Sequence, residues 1–197
     1  MAGKGVADMD FLDLYSCFPS AVQIACEEMG IAEDDPRGLT VTGGLPYFGG
    51  PGNNYVTHSI AEMMDRVRGK PGSFGMVTAN GNYVTKQSAG IYSTQPTETP
   101  FAPKDPAIYQ AKIDAAKGPV TTEAPAGKAK IETYGVMHDR KGPSFAVLFG
   151  RLEDGRRFIA NTPEDADLLH EMCRRDFLAA PGQVAAGDDG RAIFTPD

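Results

Sequence analysis

The placement of glycine constrains this chain more than any other feature of its sequence. Eleven of its 23 glycines fall within residues 38–90, about a quarter of the 197-residue length. Glycine is favoured where a backbone must take positive φ or approach a ligand closely. Function is therefore sought in that stretch. The length allows one medium domain or two small ones, each with its own core. Hydrophobic residues at 41% and charged residues at 23% fit a globular chain rather than a disordered one.

Other classes are set aside by charge, hydropathy and cysteine usage. The chain carries 19 Lys and Arg against 26 Asp and Glu, for a net charge of -7. An acidic chain without a basic stripe argues against nucleic acid as a partner. It leaves phosphate-bearing molecules open, since backbone N–H groups can hold them. No run approaches the roughly 18 apolar residues of a membrane span, so no membrane partner is expected. Residues 1–10 contain no apolar segment of the secretory type. Cys17, Cys26 and Cys173 are too scattered for a disulfide framework or a metal site. A cytoplasmic setting and no metal are expected.

The pattern of apolar residues divides the chain. Residues 11–14 (FLDL) predict a short strand. Pro19 suits a first helical position, and Phe18, Val22, Ala25 and Met29 line one face of a helix ended by Gly30. Residues 39–42 (LTVT) predict a buried strand leading into GGLPYFGGPGNN. Val56, Ile60, Met63, Met64 and Val67 predict a second helix, with Asn53 or Asn54 as N-cap and Gly69 as the stop. Residues 74–79 and 83–92 predict two strands with a hairpin turn at Asn80-Gly81. Residues 95–127 hold six of the 15 prolines and predict a linker with a short ordered element near 108–116. Residues 128–138, 144–152 and 156–161 predict strands, with Glu153-Asp154-Gly155 as a turn. A short helix opening at Thr162-Pro163-Glu164 runs to about Cys173, and two weaker strands follow at 182–186 and 191–195. Five short strands and a helix point to a small barrel of the OB type. The expected divisions are 1–94, 95–127 and 128–197.

Three groups invite a chemical reading. The glycine segment joins a strand to a helix, a setting where N–H groups and the helix dipole cradle anions. It lacks the phosphate-loop and dinucleotide patterns, and a tight structural turn accounts for it equally well. His58 lies off the apolar stripe of the second helix. Tyr55, His58 and Glu62 are spaced to share another face, where the carboxylate would orient the imidazole as a general base requires. An ordinary exposed histidine fits the same spacing. Cys17 precedes the first helix, where a thiolate is favoured, although most free cysteines are simply small buried residues. Cys26 reads as core. His138 reads as a strand end, and His170 and Cys173 as members of a polar surface helix.

Taken in order, these segments resemble the C-terminal portion of a thiolase. LDLYSCFPSA resembles the segment carrying Asn-Glu-Ala-Phe in ordinary thiolases and His-Asp-Cys-Phe in sterol-carrier-type thiolases. GGLPYFGGPGNNYVTHSIAEM resembles the Gly-His-Pro loop with its following helix, and GMVTANGNYVTK resembles the strand pair bearing the second active-site cysteine. The wording YSCFPSAV, GGPGNNYVTHSIA, VTANG and IYSTQP is similar to a divergent, acetyl-CoA acetyltransferase-like branch. That branch carries an additional C-terminal domain, matched by IETYGVMHDRKG and FGRLEDGRRFIANTPED.

The resemblance implies the C-terminal part of a layered α/β thiolase fold followed by an OB-like domain. It implies Claisen-type chemistry on coenzyme A thioesters, in lipid metabolism, with the thioester as substrate and no separate cofactor. The implied partners are acyl-CoA and a thiolase N-terminal half or partner subunit, in an oligomer. The segment before Cys17 reads as mid-domain sequence, so Met1 is expected to be an internal methionine of a longer frame.

The departures from the pattern are specific. The thiolase nucleophile belongs to the N-terminal half, which has no counterpart here. The histidine of Gly-His-Pro falls on Gly50, the asparagine of Asn-Glu-Ala-Phe on Tyr15, and the second cysteine at or beside Asn80. Replacement catalytic groups are then His58, Asn80 and Cys17, of which Cys17 matches the cysteine of His-Asp-Cys-Phe and is not expected to be the nucleophile. Gly43, Gly44, Gly49, Gly50, Asn53 and Asn54 are the expected substrate-binding residues. Two other readings stay open: an aldol-type lyase component on coenzyme A esters, which needs a base but no acyl-cysteine, and a non-catalytic acyl-CoA-binding or scaffold subunit.

Overall fold

The short strand β1 (Phe11–Asp13) pairs in parallel with β2 (Phe74–Gly81), which pairs antiparallel with β3 (Lys86–Ser93). This is a computed structural model, and it describes every residue except Met1, Thr99 and Phe101. Those three, two of them in the expected 95–127 linker, lie outside the described residues. The chain divides into two compact units, Met1–Asp105 and Pro106–Asp197.

In the first unit, alternation along β1 and β2 sorts side chains to two faces of the sheet. Leu12, Leu14 and Met76 pack with Cys26, Val22, Ala25 and Met29 of helix α1 (Pro19–Met29). Phe11 and Val77 pack with Val56, Ile60, Met63, Met64 and Val67 of helix α3 (Tyr55–Gly69) on the opposite face. The result is a helix–sheet–helix sandwich. Pro19 opens α1 and Gly30 closes it, while Phe18 serves as the N-cap, 62% exposed, rather than as part of the apolar face. Asn54 is the N-cap of α3 through its backbone, whose carbonyl accepts from the Thr57 and His58 amides.

Two expected features differ. Residues 39–42 form no strand. The buried Asp13 carboxylate reaches across from β1 and accepts the Val41 amide (3.0 Å), the Thr42 amide (3.3 Å) and the Thr42 hydroxyl (3.1 Å). A side chain thus takes donors that a sheet ladder would need. The hairpin turn is not Asn80-Gly81 either. Both residues stay in β2, paired with Gln87 and Lys86, and the chain reverses at Asn82, Tyr83 and Val84, all at positive φ.

In the second unit, helix α4 (Pro106–Asp114) precedes five strands: β4 (Gly127–Asp139), β5 (Gly142–Leu152), β6 (Arg157–Asn161), β7 (Pro181–Ala186) and β8 (Ala192–Pro196). They close into a barrel in the order β4-β5-β6-β8-β7, with β4 also pairing to β7. Helix α5 (Ala166–Met172) lies between the third and fourth strands, as in an OB barrel. The Asp165 side chain caps it by accepting the Asp167 and Leu168 amides. Ile131, Leu148, Phe158, Val184 and Phe194 fill the interior, and Leu169 and Met172 of α5 pack against them. β4 carries one extra residue against β5 at Glu132. Its carboxylate receives Arg157 Nε at 2.5 Å and Arg151 Nε at 2.6 Å.

Two outcomes follow from this architecture. Asp13→Ala strands several buried donors and is expected to destabilise the first unit by about 3 kcal/mol or more, measured by chemical denaturation. Arg157, then Arg151, hold the Glu132 carboxyl below its ordinary value of 4.5. Its stabilising contribution is therefore full above that value and fades as pH falls through the lowered one. The stability gap between the native chain and Glu132→Gln should shrink on acidification, from a modest starting size because the pair is partly exposed.

Candidate functional site

The site is built where the C-terminal ends of β1 and β2 meet the glycine-rich loop. β1 delivers Tyr15, Ser16 and Cys17 into the turn before α1, and β2 delivers Thr78 and Asn80 alongside. The Tyr15 amide donates to Thr78 Oγ1 at 2.9 Å, which fixes the two chain ends side by side. Cys17 Sγ then lies 3.8 Å from Asn80 Oδ1 and 3.9 Å from Asn80 Nδ2. Two candidates separated by 63 residues in sequence are thereby brought together.

Ser16 ties the glycine loop to the same place. Its Oγ accepts the Leu45 amide at 2.9 Å. Gly44, at φ 98°, turns the loop into the one-turn helix α2 (Leu45–Phe48), and a Cβ there would stand 3.3 Å from Ser16 Oγ. Only glycine combines that backbone angle with that approach. The Gly43 and Gly44 amides are held by the Thr40 and Thr42 hydroxyls at 3.0 and 3.2 Å, and the Gly49 amide by the Leu45 carbonyl. Among the described residues, the amides of Gly50, Gly52, Asn53 and Asn54, just before α3, have no protein partner. Of these, the Asn54 amide lies at the positive end of the 15-residue helix.

Beneath the loop lies a polar cluster that the sequence reading missed. Asp13 is fully buried, and its Oδ1 accepts from Ser59 Oγ at 2.7 Å and Tyr55 Oη at 3.1 Å. Tyr55 Oη also lies 2.7 Å from Thr42 Oγ1. The available signal was a single acidic residue inside the apolar run FLDL. Tyr55 stacks edge-on against Tyr15, with ring centroids 5.6 Å apart. Burial, followed by the proximity of Cys17 and Tyr55, raises the Tyr15 hydroxyl above its ordinary value of 10.0, so it stays protonated.

His58 has a different environment. Its ring meets Phe48 edge-on at 5.2 Å, and it borders a shallow surface pocket with Thr57, Glu62 and Asp65. Of the expected face, His58 and Glu62 border this pocket together, whereas Tyr55 is 2% exposed and points inward, and the Glu62 carboxylate receives Arg66 Nε at 2.7 Å. No hydrogen bond or ring contact joins His58 to Cys17 or Asn80 among the described residues. Cys26 is buried in the α1 core, and burial, then Glu33 and Asp35, raises its thiol. No three His, Cys, Asp or Glu side chains converge as metal ligands among the described residues. No described helix is long and apolar enough to cross a membrane.

Comparisons with known proteins agree with this architecture. Residues 109–190 match the thiolase-like protein type 1 additional C-terminal domain. The chain is similar to the crystal structure of a monomeric SCP2-thiolase-like protein type 1 from Mycobacterium smegmatis. The TM-score is 0.87 and the identity 43%, over 99% of this chain and 42% of that one. No curated protein matches the chain in sequence. The chain is thiolase-like, combining a thiolase-type sheet unit with the additional barrel domain, and it spans less than half the length of the solved relative.

Gly50 shows how tightly this loop is packed. A Cβ on it would lie 2.8 Å from Tyr55 Cβ. Gly50→Ala should cost about 1–3 kcal/mol in stability, and Gly50→His more, read as a drop in thermal midpoint.

Proposed function

We propose that the chain binds an acyl-coenzyme A thioester beside the Cys17–Asn80 pair, where the glycine-rich loop turns at Gly44. Acyl transfer of the acetyl-CoA acetyltransferase type would then occur only together with a thiolase N-terminal half or partner subunit. The juxtaposition of Cys17 and Asn80 beside the Gly44 turn carries the proposal. The Asn80 amide can donate a hydrogen bond to a thioester carbonyl, and the Cys17 thiol lines the same position. The unpaired amides of Gly50, Gly52, Asn53 and Asn54 suit an oxygen of the thioester or pantetheine. The covalent step of a thiolase needs a cysteine nucleophile supplied from outside these residues. His58 is a base candidate for the assembled protein, acting from the α3 surface beside Phe48.

A non-catalytic acyl-CoA-binding subunit is the second reading. Gly50 favours it, because its contact with Tyr55 leaves no space for the histidine that thiolases carry at the corresponding position.

Titration of the chain with acetyl-CoA by calorimetry tests the binding. Saturable binding is expected, weakened about tenfold, or ~1.4 kcal/mol, in Asn80→Ala. Equal affinity of Asn80→Ala and the native chain would remove Asn80 from the site. Acyl-transfer turnover on addition of a thiolase N-terminal half separates the two readings, and an unchanged rate in His58→Ala would exclude His58 as the base.

A further inference from the structure

Cys173, which the sequence marks only as the end of a polar helix, has a histidine partner that the chain order hides. Cys173 is the C-cap of α5, and His138 lies near the end of β4. Although 35 residues separate them, His138 Nε2 lies 3.7 Å from Cys173 Sγ. The other ring nitrogen, Nδ1, lies 3.1 Å from the Val136 carbonyl oxygen. A carbonyl oxygen can only accept, so in the neutral ring Nδ1 carries the proton and the Nε2 lone pair faces the thiol. A backbone group thus orients a base, and the base faces a nucleophile.

Both residues are exposed, unlike the buried Cys26 and the half-buried Cys17. Exposed cations outnumber carboxylates in the chain just after each of them: Asp139, Arg140 and Lys141 come after His138, and Arg174 and Arg175 after Cys173. Cys17 and Cys26 belong to the other compact unit, so the barrel unit holds no second thiol to resolve a disulfide formed at Cys173.

We propose that Cys173 and His138 form a thiol-modification site for anionic low-molecular-weight disulfides, independent of any acyl-CoA binding. The disulfide is the oxidant. His138 Nε2 accepts the Cys173 proton, and the sulfur attacks one sulfur of the disulfide. The S–S bond of the small molecule breaks as a Cys173 mixed disulfide forms. The departing thiolate then takes the proton from His138 and leaves as a free thiol. Without a second thiol in the barrel unit, the mixed disulfide persists until an external thiol reduces it, giving a reversible mark on the barrel rather than a catalytic cycle.

The test uses the full chain, folded and fully reduced, with glutathione disulfide as the probe and modification at each cysteine followed by peptide mass spectrometry. Cys173 should be modified about tenfold faster than Cys17. His138→Gln should slow Cys173 about tenfold without changing Cys17, and Cys173→Ser should abolish the fast phase. Both substitutions are at exposed positions, and retention of the native circular dichroism spectrum confirms their folding. Faster modification of Cys17, or an unchanged Cys173 rate in folded His138→Gln, overturns the proposal.

Discussion

The first unit is organised around one buried carboxylate. Asp13 brings a formal charge into a fully buried position, which is tolerable only where donors surround it. Five donor groups lie within hydrogen-bond distance of it: two hydroxyls from α3, the hydroxyl of Thr42, and the amides of Val41 and Thr42, with the Thr42 and Tyr55 hydroxyls also sharing a bond with each other. These donors come from two segments other than its own strand. The carboxylate therefore joins β1, the approach to the glycine loop and the first turns of α3. Apolar contacts between α3 and the sheet bury area without fixing register, whereas the carboxylate has directional requirements on every side. Thr42 is then held two residues before Gly44, and the Gly44 turn rests against Ser16. The position of the loop relative to Cys17 follows from Asp13 through this short chain of contacts.

Much of the fold was legible because periodic apolar residues report burial directly. Val56, Ile60, Met63, Met64 and Val67 predicted α3, and the apolar run within residues 144–152 predicted β5. The barrel emerged from strand spacing and turn residues. The failures have one common origin: side chains that take over the roles of backbone groups, or the reverse. Residues 39–42 have strand composition but surrender their donors to Asp13. Asn80-Gly81 has hairpin composition, yet the ladder to Gln87 and Lys86 continues through it, and the reversal falls on Asn82, Tyr83 and Val84. Cys17 and Asn80 could be named as single residues, whereas their contact depends on the parallel pairing of β1 with β2, which local pattern does not encode. The Cys173–His138 pair was invisible for the same reason, since it depends on where α5 ends over the barrel.

The same contacts bear on how this unit departs from the thiolase pattern it resembles. The sequence resemblance puts Gly50 where thiolases carry a histidine, and a Cβ there would overlap Tyr55. Tyr55 is not free to move aside. Its hydroxyl is bonded within the Asp13 cluster and its ring packs against Tyr15, which the sequence resemblance aligns with the asparagine of ordinary thiolases. Two departures that look independent in the sequence, Gly50 and Tyr15, thus meet on one aromatic side chain. Restoring the imidazole would require displacing Tyr55, which would withdraw a donor from a buried carboxylate and cost more than a surface substitution. Glycine at position 50 is therefore built into the packing of the unit. The packing leaves the Asn80 amide and the Cys17 thiol side by side at the end of this sheet, away from the Gly50–Tyr55 contact.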